Sequence, residues 1–320
     1  MTHISRRNFV LGAASAYVVF GVKRPVEFIG FAQAQTTAVQ FHKYKIGSLE
    51  EFSLHDGELI RPQVEGVIKK VPVEQAKAAL RAAGLPDDKY TNPCTMTAVK
   101  SGDTTVLIDT GTGGQLAPTA GRLLDNMTAA GIPPASVNTI LISHFHPDHI
   151  FGLMAKDTNA QIFPNAEILM PDTEYAFWTD PGNTSKLPEV LQGVAKRINA
   201  TFPTWKNIKQ FSAGAEVVPG IRAMATPGHT PGHTSFVIAS GDKQLIVQGD
   251  VATVPYFFVK NPGWHLSFDM DAAVAEATRR KLYDQVVADK VMIAGYHWGF
   301  PNAGTLAKDG NGYALTAIKA

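Results

Sequence analysis

The chain reads as an α/β sandwich. Short apolar runs closed by turn residues recur along it, stretches of helical spacing fall between them, and the two alternate in mixed order rather than in separate blocks. Several of the expected strand ends carry His or Asp, so their side chains can converge on one edge, where sites are commonly built.

In chain order, strands are expected over residues 95–100, 105–109, 139–142, 166–170, 221–225, 235–239, 244–248 and 291–294. Ser240-Gly241-Asp242 reads as the hairpin turn between two of them. Helical spacing appears over residues 73–83, 115–130, 188–200 and 270–288. In the last of these, Ala273, Ala277, Arg280, Lys281 and Asp284 share neighbouring faces, which leaves Val274, Leu282 and Val286 for the core side.

Residues 1–34 stand apart as a targeting segment. Ser5-Arg6-Arg7-Asn8-Phe9 sets two arginines before an apolar or small run that continues to Val22, a twin-arginine start too short to span a bilayer as a helix. Ala32-Gln33-Ala34 offers a small-residue cleavage site, so the mature chain is expected to begin at Gln35. Such a signal resembles the route by which bacteria export folded, metal-loaded proteins. It implies the twin-arginine machinery as a partner, a periplasmic or secreted product, and no stable membrane span after cleavage. An uncut anchor is the alternative, because Lys23-Arg24 interrupts the usual pattern.

Residues 35–320 carry no internal repeat, low-complexity tract or long Gly/Ser linker and read as one domain. With 45% apolar and 18% charged residues the chain is an ordinary globular protein, not a disordered, collagenous or coiled-coil one. Removing Arg6, Arg7, Lys23, Arg24 and Glu27 leaves 25 basic and 27 acidic residues, so nothing favours a nucleic-acid partner. The single cysteine, Cys94, excludes an intrachain disulfide and a multi-cysteine zinc module. Metal chemistry, if present, must rest on His and carboxylates.

Such a set is dense at one place. Ser143-His144-Phe145-His146-Pro147-Asp148-His149 follows directly on an expected strand, and extended geometry turns His144 and His146 to the same side. Pro147 resets the chain direction, so Asp148 and His149 can serve a second ion. Three imidazoles and a carboxylate within six residues at a strand end suit metal ligation better than packing. Further along, Thr226-Pro227-Gly228-His229-Thr230-Pro231-Gly232-His233 presents two histidines in Pro/Gly turns, Asp250 follows Gln248-Gly249, and His297 follows Gly295-Tyr296. Six of the nine mature histidines lie in these motifs; His42, His55 and His265 read as surface or satisfied core residues.

In this order the motifs resemble the metallo-β-lactamase superfamily. The resemblance implies a four-layer αββα sandwich with two divalent metals at one edge, zinc first, with manganese, cobalt or iron as alternatives. It assigns His144, His146 and His233 to the first metal and Asp148, His149 and His297 to the second, with Asp250 bridging. It leaves His229 in the outer shell or shaping the turn, and makes Asp109, in Leu107-Ile108-Asp109-Thr110-Gly111, a supporting residue. The implied reaction is ester-type hydrolysis by a metal-bridging hydroxide that Asp148 orients, with no covalent intermediate.

Within the superfamily the chain is similar to methyl parathion hydrolase and its relatives from about Lys43 to near the C-terminus, a branch that mixes phosphotriesterases, arylesterases and lactonases. The expected substrate is therefore a small lactone or aryl ester, with phosphotriesters as a wider activity. Homodimer formation is left open. Trp178 matches an aromatic pocket position of that branch, and Phe177, Tyr256, Phe257, Phe258 and Trp264 are further candidate walls. Leu116 stands where the branch has Phe, which weighs against efficient aryl phosphotriester cleavage. Many acyl-homoserine lactonases carry Tyr where this chain has Thr253, so a lactone-assisting hydroxyl is not established, and an N-acyl homoserine lactonase stands as an alternative reading. Cys94 precedes all the ligands, unlike the Cys ligand of common zinc β-lactamases, and only 23 residues follow His297, too few for a glyoxalase II-like helical region. A one-iron oxygenase and a non-enzymatic metal-binding protein of the same fold are the remaining alternatives.

Overall fold

The computed structural model describes residues 39–319, so the targeting segment lies outside the described residues. Two seven-stranded sheets dominate them. The first runs in chain order through β1 (Phe41–Ile46), β2 (Leu49–Pro62), β3 (Lys89–Ser101), β4 (Thr104–Ile108), β5 (Thr139–Leu141), β6 (Glu167–Pro171) and β7 (Ile208–Phe211). The second contains β8 (Glu216–Val218), β9 (Ile221–Ala225), β10 (Thr234–Ser240), β11 (Lys243–Val247), β12 (Met292–Ala294), β13 (Ala303–Asp309) and β14 (Gly312–Ala317), again neighbour to neighbour. β1 to β4 are antiparallel and β4 to β7 parallel; in the second sheet only the β11–β12 pair is parallel.

The layers follow from three apolar clusters. Val99, Ile108, Leu141, Phe236, Leu245 and Val247 pack between the sheets. On the outer face of the first sheet, Leu54, Ile140 and Ile168 meet helices α2 (Leu123–Ala129), α3 (Asp172–Thr179) and α4 (Glu189–Thr201). On the outer face of the second, Ile246 and Ile293 meet α1 (Val73–Ala82) and α5 (Ala272–Asp289). The result is helix, sheet, sheet, helix, as the resemblance implied. The Gly241-Asp242 turn joins β10 to β11, with Gly241 at φ 61°.

Three readings need correction. The helix expected over 115–130 begins only at Leu123, because Pro118 and Gly121 break the preceding stretch. Gly121 has φ 107°, and its N–H and that of Arg122 both donate to the Asp56 carbonyl at 2.8 Å. In α5, Val274 is 38% exposed, while Arg279 is buried and donates to the carbonyls of Val251, Pro262 and Trp264. A guanidinium with its donors satisfied can replace an apolar contact in the core, which helical periodicity does not register. The strands at the outer ends of the two sheets, β1, β2, β7, β8, β13 and β14, escaped the reading because polar residues interrupt their apolar alternation. In β2, Phe52 and Leu54 face the outer cluster while Glu51 and Ser53 face between the sheets, so alternation is masked by charge on the buried side.

The fold brings five chain segments to one edge. The loop after β4 carries Asp109, that after β5 carries His144 to His149, and the β9–β10 turn carries His229 and His233. Asp250 follows β11 and His297 follows β12.

Candidate metal centre

The histidine rings are held from behind. His144 Nδ1 lies 3.0 Å from Ser143 Oγ, His149 Nδ1 2.8 Å from Asp109 Oδ2, His229 Nδ1 2.9 Å from Asp269 Oδ1, and His297 Nδ1 2.6 Å from the Pro93 carbonyl. Each of these contacts leaves Nε2 directed inward. Backing of this kind sets the tautomer and ring orientation of metal-binding histidines. Asp109 adopts φ 61°, a left-handed conformation, and its carboxylate also accepts from Ser143 N and Ser143 Oγ at 2.8 and 2.7 Å. It therefore supports from behind.

Inside, two groups form around one shared carboxylate. His144 Nε2 is 3.0 Å from His146 Nδ1, which is 2.9 Å from His229 Nε2. One ring nitrogen carries at most one proton, so His146 Nδ1 cannot donate to both neighbours. Three converging imidazole nitrogens at these spacings match the roughly 3.3 Å between ligand atoms of a tetrahedral ion with N–metal distances of about 2.0–2.1 Å. On the other side, Asp148 Oδ2 is 3.4 Å from His297 Nε2 and 4.0 Å from His149 Nε2. Asp250 faces both groups: its Oδ2 is 3.4 Å from His229 Nε2 and 3.2 Å from His297 Nε2, and its Oδ1 is 3.5 Å from His149 Nε2. His149 Nε2 and Asp250 Oδ1 are buried with no hydrogen-bonding partner among the described residues. Buried polar atoms are normally satisfied, so this pair and the surrounding imidazoles and carboxylates fit divalent cations, and the buried Cys94 Sγ, within 4.8 Å of ligand atoms of Asp148 and His297, is a donor that the sequence reading sets aside.

Burial, reinforced by neighbouring rings, holds His144 and His146 well below the ordinary imidazole range, so both are neutral and can offer lone pairs. Burial opposes charge at His149 as well, but Asp250, Asp109 and Asp148 outweigh it and raise the ring to about 10. His297 is raised by Asp250 and Asp148 against the same burial, and Asp250 is held low by His297 and His149 despite its own desolvation.

His233 sits outside this arrangement, and His229 inside it, a correction of the expected placement. Both His233 nitrogens are engaged: Nδ1 lies 2.9 Å from Thr226 Oγ1 and 3.0 Å from the Thr226 carbonyl, while Nε2 accepts from Asp250 N at 2.9 Å. Burial, with His229 nearby, lowers His233 to about 3, which suits an acceptor role toward that amide. The turn decides between the two histidines. Gly228, at φ 126°, approaches α5 so closely that a Cβ there would meet Ala275 N at 2.2 Å, and this seats His229 at the apex, facing His146. His55 and His265 are satisfied by Thr95 Oγ1 and Glu276, and His42 stacks on Tyr44.

A cavity of ≈1610 Å³ opens onto the centre, with His146, Asp148, His229, Asp250 and His297 at its floor. Leu116 and Phe177 line it, together with Ile60, Leu187, Val190 and Phe268. The other expected wall residues do not. Trp178 is 1% exposed with Nε1 donating to Glu174 at 2.7 Å. Phe257 and Phe258 are buried in the helix-side core of the second sheet, and Trp264 and Tyr256 pack against that core. Aromatic size drove these rings into packing, as it does in most proteins. Asp269 was not anticipated, since it lies in a loop forty residues from the histidine it backs and no spacing pattern links them.

The family model described as Metallo-beta-lactamase superfamily matches residues 90–297. Among solved structures, the chain resembles AidC, a dizinc quorum-quenching lactonase in complex with a product, at TM-score 0.79 and 26% identity, covering 88% of this chain and 98% of that one. It also resembles the hydrolase AbOPH of the β-lactamase superfamily at TM-score 0.82 and 26% identity, over 89% and 99%. An N-acyl homoserine lactonase from Bacillus sp. is 26% identical over 160 residues, 50% of this chain and 56% of that relative, so the match spans little more than half of its length. The ordered histidine and aspartate motifs, the layered sheets that gather them and the matched span agree: this chain belongs to the metallo-β-lactamase superfamily.

Proposed function

We propose that this chain is a hydrolase that uses two divalent cations, zinc foremost, to cleave the ester bond of a lactone or aryl ester. The observation that carries this is the shared position of Asp250 between two histidine groups, with His149 Nε2 and Asp250 Oδ1 buried without a hydrogen-bonding partner among the described residues, at the floor of a largely apolar cavity. In this reading His144, His146 and His229 hold one cation, and Asp148, His149 and His297 the other, with Asp250 touching both. Two such cations supply a nucleophile at neutral pH and polarise the scissile carbonyl or phosphoryl oxygen. The chain's own groups do the rest. Asp148, on the cavity side with its side chain 14% exposed, orients the attacking water. The walls of Leu116, Phe177 and Phe268 bind the apolar part of the substrate and exclude bulk water, which strengthens every charge interaction below them.

Lactones are the first substrates to test, because AidC and the Bacillus relative are described as lactonases. The similarity to the methyl parathion hydrolase branch supports phosphotriesters as a wider activity. The Ser5-Arg6-Arg7 start supports export by the twin-arginine route and a periplasmic protein from Gln35 onward. The test is metal analysis of the purified chain with a panel of lactones, aryl esters, phosphotriesters and β-lactams. Two ions per chain with ester turnover are expected. One iron with oxygen uptake, or bound metal without turnover on any substrate, would overturn the reading in favour of an oxygenase or a binding protein.

A further inference from the structure

We infer that Glu174 is a positioning residue that sets the spacing of His144 and His146 against His229, and so the affinity of one of the two cation sites; this rests on the centre proposed above. Glu174, on α3, is fully buried, lies outside the cation ligands and has no basic partner among the described residues. Its carboxylate instead accepts four hydrogen bonds from two sides. Oε1 takes Phe145 N at 3.0 Å and Trp178 Nε1 at 2.7 Å; Oε2 takes Thr230 Oγ1 at 2.8 Å and Gly232 N at 2.9 Å. Phe145 separates His144 from His146, and Thr230 follows His229. One side chain thus ties together the two loops that bring these three rings within hydrogen-bonding distance.

A second contact shows how closely the parts are set. A Cβ on Gly232 would meet Glu174 N at 2.2 Å and Glu174 Cα at 2.5 Å, so the turn lies directly against the backbone of α3. The turn is also held from the far side, where Asp271 N donates to the Gly228 carbonyl at 2.9 Å and Met270 N to the His229 carbonyl at 3.1 Å. The group of Asp148, His149 and His297 receives no bond from Glu174, because His149 is backed by Asp109 and His297 by Pro93. The effect of Glu174 is therefore confined to one half of the centre.

Hydrogen-bond arithmetic separates the variants. Phe145 N, Trp178 Nε1 and Gly232 N are obligatory donors, whereas the Thr230 hydroxyl can reverse and accept. In Glu174→Gln the amide nitrogen must settle on the Thr230 side, where Gly232 N loses its acceptor. Zinc competition titrations on the chelator-stripped chain, with no substrate present, read the outcome. Glu174→Gln should weaken one of two ions about 10- to 100-fold, the usual effect of removing a group that orients ligands, and leave the other unchanged. Should that variant fail to fold, Thr230→Val is expected to weaken the same ion by less, with Thr230→Ser restoring it. A lowered melting temperature with both affinities unchanged, or both ions weakened equally, would overturn the inference. A wild-type chain that takes up no cation would overturn the centre itself, and the positioning role with it.

Discussion

Around His144, His146 and His229 the neighbours of each ring are mainly other rings, whereas around His149 and His297 they are carboxylates. Burial and the crowding of neighbouring rings keep His144 and His146 neutral. The second group is charged in place, with Asp250, Asp148 and Asp109 facing its rings. Neutral rings such as His144 and His146 have no charge of their own to hold them together, so hydrogen bonds behind them must do so until a cation arrives. The acidic set is compensated before any cation binds, and must give up protons when one does. Two sites at one sheet edge are thus made by different physics, and the shared Asp250 couples them.

Removing the shared carboxylate should have the largest effect. Asp250→Ala deletes a carboxylate that faces both groups, and breaking a buried ionic contact of this kind costs about 3–5 kcal/mol. Turnover on the best ester is expected to fall on the order of 10³-fold with both ions weakened; a variant that keeps either ion at wild-type affinity would break the coupling. The next comparison is His229→Ala against His233→Ala. Loss of His229 should remove one ion from metal analysis, while loss of His233 keeps the ion count and costs roughly 10- to 100-fold in rate through the Asp250 backbone it accepts from. Equal metal loss in both would return His233 to the ligand set.

A histidine outside the centre offers a reference for burial away from the crowded rings. Burial, with Arg122 adding to it, lowers His55 to about 4 from its ordinary 6.5. A ring whose folded value is depressed binds protons more readily when unfolded, so its contribution is intact above pH 6.5 and is lost as pH falls from 6.5 toward 4. Denaturant unfolding of the metal-free chain at pH 7 and pH 4.5 should show wild type losing about 2 kcal/mol more than His55→Gln. Identical pH slopes would mean that His55 is not neutral in the fold. The smallest effect is expected at the cavity wall. Leu116→Phe should shift KM among lactones and aryl phosphotriesters by roughly tenfold or less, without changing ion content.

The ligand-bearing loop was legible because its chemistry is local. His144, His146, Asp148 and His149 fall within six residues after a strand, and strand geometry alone predicts which of them share a side. Asp250 and His297 were legible by order and by their places after apolar runs. The walls were not. Trp178 and Phe257 have the composition of a pocket lining, yet their rings are worth more in the core, and the cavity is instead walled by Ile60, Leu187 and Val190 from segments far apart in the chain. Arg279 shows the same limit from the other side, a charged residue that the fold buries because three backbone carbonyls converge on it.

The amino-acid order alone settled the layered α/β class, the exclusion of an intrachain disulfide and of a multi-cysteine module, and the clustering of imidazoles with acids at strand ends, since each depends on residue type and short spacing. Whether His229 or His233 faces the centre depended on where Gly228 and Gly232 let the turn rest against two helices. That choice, and the assignment of Asp269 and Glu174 to hold it, arises from contacts between residues tens of positions apart, which only the packed chain brings within reach of a hydrogen bond.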